Sequence, residues 1–332
     1  MIVRSIDLGY GNVKFCSAGN TDGVVSYGFF PSVAKLHTGI DRGAGVMSSR
    51  DLVTVEADGS IFMVGRDAEY TLSARDDRRS HLSANFVDTP QYLALFRGAL
   101  AYLGDDEIDL MVAGLPVDHF ARDKDRLKAR LVGTHRFPGR SAVSVKDAWI
   151  IPQPAGGFIK YFMEQNDVSD IDGLTSLTID VGYYTLDWLV CRGLQMQDAR
   201  CGSTPGGMSL VLERLAELIS NDRGVAFENL GMVDEGIRKG FATRIQGKHY
   251  DFSHLVPKME AHIVTAIQSV VRSVGSLNDI DVIVLVGGGA ACYRKKIESL
   301  LGREVVVPGN SIFSNVQGFF IAGNQRVNGK GA

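Results

Sequence analysis

Apolar and polar positions along this chain fall into alternating β-like and helix-like runs. Met1–Asp7, Val13–Ser17 and Val24–Phe30 read as a three-strand meander, with Gly-Asn-Thr-Asp-Gly at 19–23 as its second turn. Leu52–Glu56 and Ile61–Val64 flank Asp58-Gly59, a two-residue hairpin signal. A basic and polar stretch, Arg75–Ser80, reads as a solvated loop. Thr89-Pro90 then predicts a helix start, with threonine as N-cap and proline at the first helical position. Tyr92, Leu93, Leu95, Phe96, Leu100 and Leu103 supply its apolar face. Ile108–Gly114 reads as a continuous buried strand, Lys124–Val132 as a charged surface helix and Ser141–Val145 as another strand.

Ile150–Gly157 is a strand end followed by small residues that lead into a helix, Phe158–Glu164. A domain boundary is expected here, giving a first domain of 1–155 plus 315–332 and a second of 156–314. The second half repeats the theme. A hairpin spans Leu177–Val190, a third strand Leu194–Arg200, and Pro205-Gly206-Gly207 turns into a helix over Ser209–Ile219. Val256, Met259, Ile263, Ile267, Val270, Val271 and Val274 keep the helical period of a buried amphipathic helix. Asp281–Val286 is a buried strand that runs into Gly287-Gly288-Gly289. A late strand at Val305–Val307, a short helix around Val316–Ala322 and a frayed tail, Asn328–Ala332, complete the reading. Strands alternating with helices in two halves predict an α/β fold with a cleft between domains.

One phrase occurs in both halves. Ile6-Asp7-Leu8-Gly9-Tyr10-Gly11 returns as Ile179-Asp180-Val181-Gly182-Tyr183-Tyr184. Each copy leaves a strand, turns at a glycine and re-enters a strand. Asp-x-Gly is ordinary turn chemistry by itself, but a matched pair, one per half, points to one ligand. Glycine lets backbone N–H groups approach a phosphate, and successive N–H groups form an anion-binding concavity. Aspartates repel phosphate but hold Mg²⁺, usually through its waters. Asp7-x-Gly-x-Gly-x-x-Lys14 adds a cation within reach of a terminal phosphate. It is not a Walker A sequence.

The bulk numbers narrow the field. At 332 residues, 45% hydrophobic and 22% charged, the chain is long enough for two globular domains. A formal charge of −3 argues against a surface that binds nucleic acid throughout. The chain opens almost at once on a strand, with no charged segment ahead of an apolar run, and nothing approaches a spanning helix. Cys16, Cys191, Cys201 and Cys292 lack metal-site spacing, and His249 and His254 lack the i, i+4 pattern of a zinc site. A cytoplasmic protein without a metal cage is expected.

At this point the residues resemble the actin-like ATPase superfamily, which also holds the Hsp70-type chaperones and the sugar kinases. That family carries five elements in fixed order. Asp7-Leu-Gly-Tyr-Gly-Asn-Val-Lys14 is similar to its first phosphate hairpin and Asp180-Val-Gly-Tyr-Tyr-Thr-Leu-Asp187 to its second. Val284-Leu-Val-Gly-Gly-Gly-Ala-Ala291 is similar to the adenosine loop. Pro152-Gln153-Pro154-Ala155 and Asn315–Gly323 stand where the two connecting helices begin. Phe30-Pro31-Ser32, Val64-Gly65-Arg66-Asp67-Ala68 and Gly114-Leu115-Pro116-Val117 bring it nearest the bacterial plasmid-segregation actins of the ParM/StbA type.

The resemblance implies two actin-like (RNase H-like) domains, each a mixed sheet with flanking helices, around a nucleotide cleft. It implies ATP or GTP with Mg²⁺, the metal's waters held by Asp7 and Asp180. Gly9, Tyr10, Gly11, Asn12 and Lys14 would serve the β-phosphate side, and Gly182, Tyr183, Tyr184 and Thr185 the γ-phosphate. Gly206, Gly207, Gly287, Gly288 and Gly289 would line the nucleotide, and Gln153 would orient the attacking water. Tyr183 and Tyr184 stand where many relatives carry small residues, and Gln153 where some carry glutamate. The implied function is an Mg-dependent NTP hydrolase whose self-assembled filaments segregate plasmid DNA through a DNA-bound adaptor of the ParR type, without direct sequence-specific DNA binding or a membrane. The alternatives are a small-molecule kinase of the same superfamily and a non-hydrolysing actin-like scaffold.

Overall fold

The computed structural model describes residues 1–18, 25–37, 49–72, 85–165 and 171–329. The expected turn at 19–23, the Arg75–Ser80 stretch and residues 330–332 lie outside them. The chain divides into two compact units, one of Met1–Ile171 with Pro308–Ala332 and one of Asp172–Val307.

In the first unit five strands lie side by side in the order Ala148–Pro152, Leu110–Leu115, Val3–Leu8, Asn12–Ala18, Val25–Pro31. The three strands from Val3 to Pro31 form the expected antiparallel meander, and Leu110–Leu115 and Ala148–Pro152 extend it in parallel. Leu110–Leu115 is buried at every position, as a central parallel strand covered on both faces must be. Ile6, Leu8, Val13, Phe15, Met111 and Ala113 pack on one face with the helix Pro90–Leu103. That helix starts as expected, Thr89 Oγ1 accepting from the Tyr92 N–H at 3.2 Å, and stops at Gly104 in the left-handed conformation. Asp58 and Gly59 both take positive φ, so the Val53–Ala57/Ser60–Val64 hairpin closes through the two-residue turn its sequence signals.

Val3, Cys16, Leu110, Val112 and Ile151 pack on the other face with Val316, Phe319 and Phe320 of the helix Ser314–Gly329. Burial pushes the Cys16 thiol up to about 12, and no cysteine of this chain is in a disulfide. The helix Gln153–Glu164 crosses Ser314–Gly329 at two glycines, where a Cβ on Gly318 would lie 1.8 Å from the Gly156 carbonyl oxygen. The expected boundary at 155/156 therefore falls inside a helix that stays with the first unit. That helix begins at Gln153 rather than Phe158, with Pro154 in its first turn.

Other expectations shift for local reasons. Ile108–Gly114 is not one strand: Glu107–Ile108 joins a separate sheet with Gly133–Phe137 and Arg140–Val145. Asp109 marks the break, accepting from the Ile2 N–H at 2.6 Å and Lys146 Nζ at 2.8 Å. The charged helix starts at Val117, not Lys124, and buries Asp123 between Arg122 and Arg126.

The second unit builds its sheet in the order Gln195–Met196, Thr185–Arg192, Thr175–Val181, Val282–Val286, with Gly202–Pro205 also on Thr185–Arg192. Leu177, Ile179, Val181, Ile283 and Leu285 pack on helices Met208–Arg223, Val256–Val274 and Ala290–Leu301. Val256–Val274 has the bounds that its periodicity predicts. Leu194–Arg200 is not the expected strand, because Arg200 turns back to the Val274 and Ser276 carbonyls and the Asp279 carboxylate. Val305–Val307 contributes one parallel bridge, Val284 to Val306, rather than a strand. The final helix runs on through Asn328 to Gly329. Helices Leu230–Arg238 and Ala290–Leu301 and the hairpin Ala242–Ile245/Lys248–Asp251 carry no periodicity strong enough to be foreseen.

Two outcomes follow. Gly318→Ala should lower stability by about 3 kcal/mol, because its Cβ meets backbone that cannot swing aside. Gly323→Ala, whose Cβ meets the Val3, Val112 and Leu110 side chains and not backbone, should cost less; urea midpoints of the two variants decide. Buried His135, its ring bonded to the Leu131 carbonyl and facing Arg97, has its pKa pushed below the ordinary 6.5. The unfolded chain therefore takes up the proton first. This stability is full above about pH 6.5 and lost as pH falls toward the folded value, and His135→Gln should flatten that part of a melting-temperature profile.

Candidate functional site

Both repeats fold into the same hairpin. In the first, the Gly9 N–H donates to the Asn12 carbonyl at 3.2 Å; in the second, the Gly182 N–H donates to the Thr185 carbonyl at 3.0 Å. Each bond closes a two-residue turn, Tyr10-Gly11 or Tyr183-Tyr184. Gly9, Gly11 and Gly182 all lie outside the left-handed region. What favours glycine is room: a Cβ would sit 3.3 Å from the Asn12 oxygen in one hairpin and 3.1 Å from the Thr185 oxygen in the other, tight enough to push either oxygen back. Tyrosine at 183 and 184 leaves this closure intact.

Closure fixes the register, so Asp7 stands opposite Lys14 and Asp180 opposite Asp187. Asp7 is 2% exposed, and it is held from two sides. Lys14 Nζ donates to Oδ2 at 2.9 Å and Gln153 Nε2 donates to Oδ1 at 2.9 Å. Gln153 reaches it from the first position of its helix, at the end of the strand Ala148–Pro152. Gly114 makes space beside it, since a Cβ there would strike the Gln153 Cγ and the Phe319 ring. Ser32 Oγ donates to the Gly9 carbonyl at 2.5 Å, and the Ser32 N–H donates to the Gly11 carbonyl at 3.0 Å. The Tyr10 ring stacks on Phe86 at 5.2 Å.

In the second unit all of the expected residues gather at the end of Thr175–Val181. The Met208 and Ser209 N–H groups donate to the Gly182 and Tyr183 carbonyls at 3.0 and 2.7 Å, and Gly206 and Gly207 both donate to Tyr184. The first turn of the helix Met208–Arg223, which has no intrahelical acceptors, is thus capped by the hairpin. Gly207 is required by contact, because a Cβ would lie 2.6 Å from the Gly182 oxygen. Gly287 takes φ +91, and a Cβ on it would lie 2.3 Å from Asp180 Oδ1, so this glycine lies against the carboxylate. The Gly289 N–H donates to the Val181 carbonyl at 3.0 Å, and Gly288 between them is exposed.

Asp180 and Asp187 are both buried and directly opposed. Thr185 Oγ1 donates to Asp187 Oδ2 at 2.6 Å and Ser203 Oγ donates to Oδ1. Ser203 and Tyr293, whose hydroxyl donates to the Gly206 carbonyl at 2.6 Å, are parts of the arrangement that motif reading missed; Asp187 and Ser32 stood inside its motifs without a site role. Asp187 had a signal of its own: it holds in its hairpin the place of Lys14 in the other.

Two family models match the chain. One, described as the N-terminal domain of actin-like proteins, covers residues 5–156; the other, described as the C-terminal domain of an archaeal MreB-like actin homologue, covers residues 178–299. This chain belongs to the actin-like ATPase superfamily. Among solved structures, its fold is similar to the archaeal actin homologue Ta0583 at 18% identity, over 98% of this chain and 100% of that one, with a TM-score of 0.76. It is similar to the apo pSK41 ParM protein at 18% identity, over 100% and 99%, with a TM-score of 0.71. A 15-stranded ParM filament from Clostridium botulinum gives 20% identity, 98% and 99%, and 0.75. No curated protein matches by sequence. Among the described residues, no helix of this actin-like chain is long and apolar enough to cross a membrane.

The Asp7–Lys14 pair can be tested without any ligand. Lys14→Met should cost about 3 kcal/mol, because it leaves a buried carboxylate without its cation. Adding Asp7→Asn should recover part of that loss, measured by urea denaturation of the single and double variants.

Proposed function

We propose that this actin-like chain binds ATP or GTP with Mg²⁺ through its two hairpins, hydrolyses it, and forms filaments that segregate plasmid DNA. One observation carries the reading: the same closed hairpin, with a buried aspartate in the same register, occurs once in each unit of a superfamily member. Two of the similar structures support it, Ta0583 in complex with ADP and the ParM filament.

The residues fit the metal. Mg²⁺ is ordinarily held by one or two carboxylates together with substrate phosphates, not by an all-protein cage. Among the described residues no group of three or more His, Cys, Asp or Glu stands ready for such a cage, whereas Asp7 and Asp180 are buried carboxylates at matching turns. Asp7 and Asp180 would hold Mg²⁺ through its waters, and the ion would supply positive charge that offsets the phosphates' negative charge.

The chain's own residues position and stabilise. Lys14, fixed by Asp7, offers a cation beside the Gly9–Asn12 turn. Gly182, Tyr183, Tyr184 and Thr185 form the γ-phosphate side, and Gly206 and Gly207 hold that turn still. Gly287 to Gly289 bring backbone close to the nucleoside. Gln153 has its amide nitrogen committed to Asp7, which directs its amide oxygen to accept a hydrogen bond from the attacking water. As a neutral group it does this without repelling phosphate. Filaments follow from head-to-tail contacts whose rotation does not close. An adaptor of the ParR type, bound to DNA in the cytoplasm, would connect them to cargo.

Asp180→Ala should reduce magnesium-dependent hydrolysis by about 10³, or about 4 kcal/mol of barrier. Unchanged turnover in the purified variant would refute the metal assignment. Sedimentation of the wild-type chain with and without Mg²⁺-nucleotide tests assembly, and equal pelleting in both conditions would count against nucleotide-driven filaments.

A further inference from the structure

Among the described residues, the strand Val25–Pro31 lies at the edge of the first unit's five-stranded sheet and pairs only with Asn12–Ala18. The Ser32 N–H donates to the Gly11 carbonyl, which makes 11/32 a hydrogen-bonded pair. Antiparallel pairs alternate, so 13/30, 15/28 and 17/26 are bonded in the same way. Residues 25, 27 and 29 then direct their N–H and C=O groups away from the sheet.

The same three residues put their side chains on one face, and all three are exposed: Val25 37%, Tyr27 42% and Phe29 45%. The face is braced. Tyr27 and Phe29 meet the Phe313 ring at 4.6 and 6.0 Å, and Asn310 Nδ2 donates to the Tyr27 hydroxyl at 3.1 Å. Edge strands are usually blunted by charge, proline or bulges. This one, Val-Ser-Tyr-Gly-Phe-Phe-Pro, carries no charge, and its single proline stands at its end.

We infer that this edge pairs with the same edge of a second copy of the chain, antiparallel, about a two-fold axis at Tyr27. The strand is complementary to itself in that arrangement. Tyr27 faces Tyr27 of the second copy, and Val25 faces Phe29, an aromatic–β-branched pair of the kind that stabilises antiparallel sheets. The outward N–H and C=O groups of 25, 27 and 29 all find partners. The absence of charge means that two copies meet without repulsion. On the shared face the aromatic rings run as Phe313, Tyr27, Tyr27, Phe313. This contact is isologous and needs no nucleotide, which separates it from the filament reading above.

Sedimentation velocity of the full chain without nucleotide tests it. Wild-type protein should show a monomer–dimer equilibrium at micromolar concentration. Tyr27→Lys and Tyr27→Glu should each sediment as monomers, and their equimolar mixture should recover the dimer. A nucleotide-free monomer for the wild type, single variants that still dimerise, or a mixture that stays monomeric would overturn the inference. Because Tyr27 supports Phe313, hydrogen exchange of the wild type gives an independent reading. The Tyr27 and Phe29 amides should gain protection as concentration rises, and concentration-independent exchange would overturn it too. Nucleotide-dependent pelleting that persists in Tyr27→Lys would leave the filament reading standing.

Discussion

A hydrogen bond from a glycine N–H to the carbonyl three residues on, made once in each unit, is the constraint on which the candidate site rests. It leaves little room for a Cβ at 9 and at 182, where one would sit 3.3 and 3.1 Å from the accepting oxygens, and it fixes which residues face one another across the hairpin. A slip of one position would send every side chain to the opposite face of its sheet. With the register fixed, the aspartate two residues before each glycine comes to lie beside the turn.

The two hairpins then diverge in what holds them. The first is braced by side chains: Ser32 on the turn carbonyl, and Lys14 and Gln153 on Asp7. Its carboxylate is neutralised within its own hairpin. The second is braced by backbone, through the N-terminal N–H groups of the helix Met208–Arg223 and through glycines at 207 and 287 that let chain lie against chain. Its carboxylate faces a second carboxylate, whose hydroxyl partners Thr185 and Ser203 carry no charge.

Close backbone contact recurs where helices meet. Gly156 and Gly318 let the helix bearing Gln153 cross the final helix without side chains between them. The Gln153 amide, which bonds Asp7, therefore sits on an element whose position is set by backbone sterics.

Much of this was legible in the sequence because it depends on neighbours along the chain. The Thr89-Pro90 cap, the Asp58-Gly59 turn, the Val256–Val274 helix and both aspartate–glycine hairpins are set by local conformational preference and by periods of two or 3.6 residues. What tertiary structure decided depends on partners far apart in the chain. Asp109 splits an apolar run because it meets Ile2 and Lys146, and Arg200 undoes an expected strand because it meets Asp279. Gln153 finds Asp7, Tyr293 finds Gly206, and Gly156 stays with the first unit because Gly318 lies against it. Local sterics and periodicity can be read one residue at a time; a buried charge or a close backbone crossing has meaning only once folding has brought its partner to it.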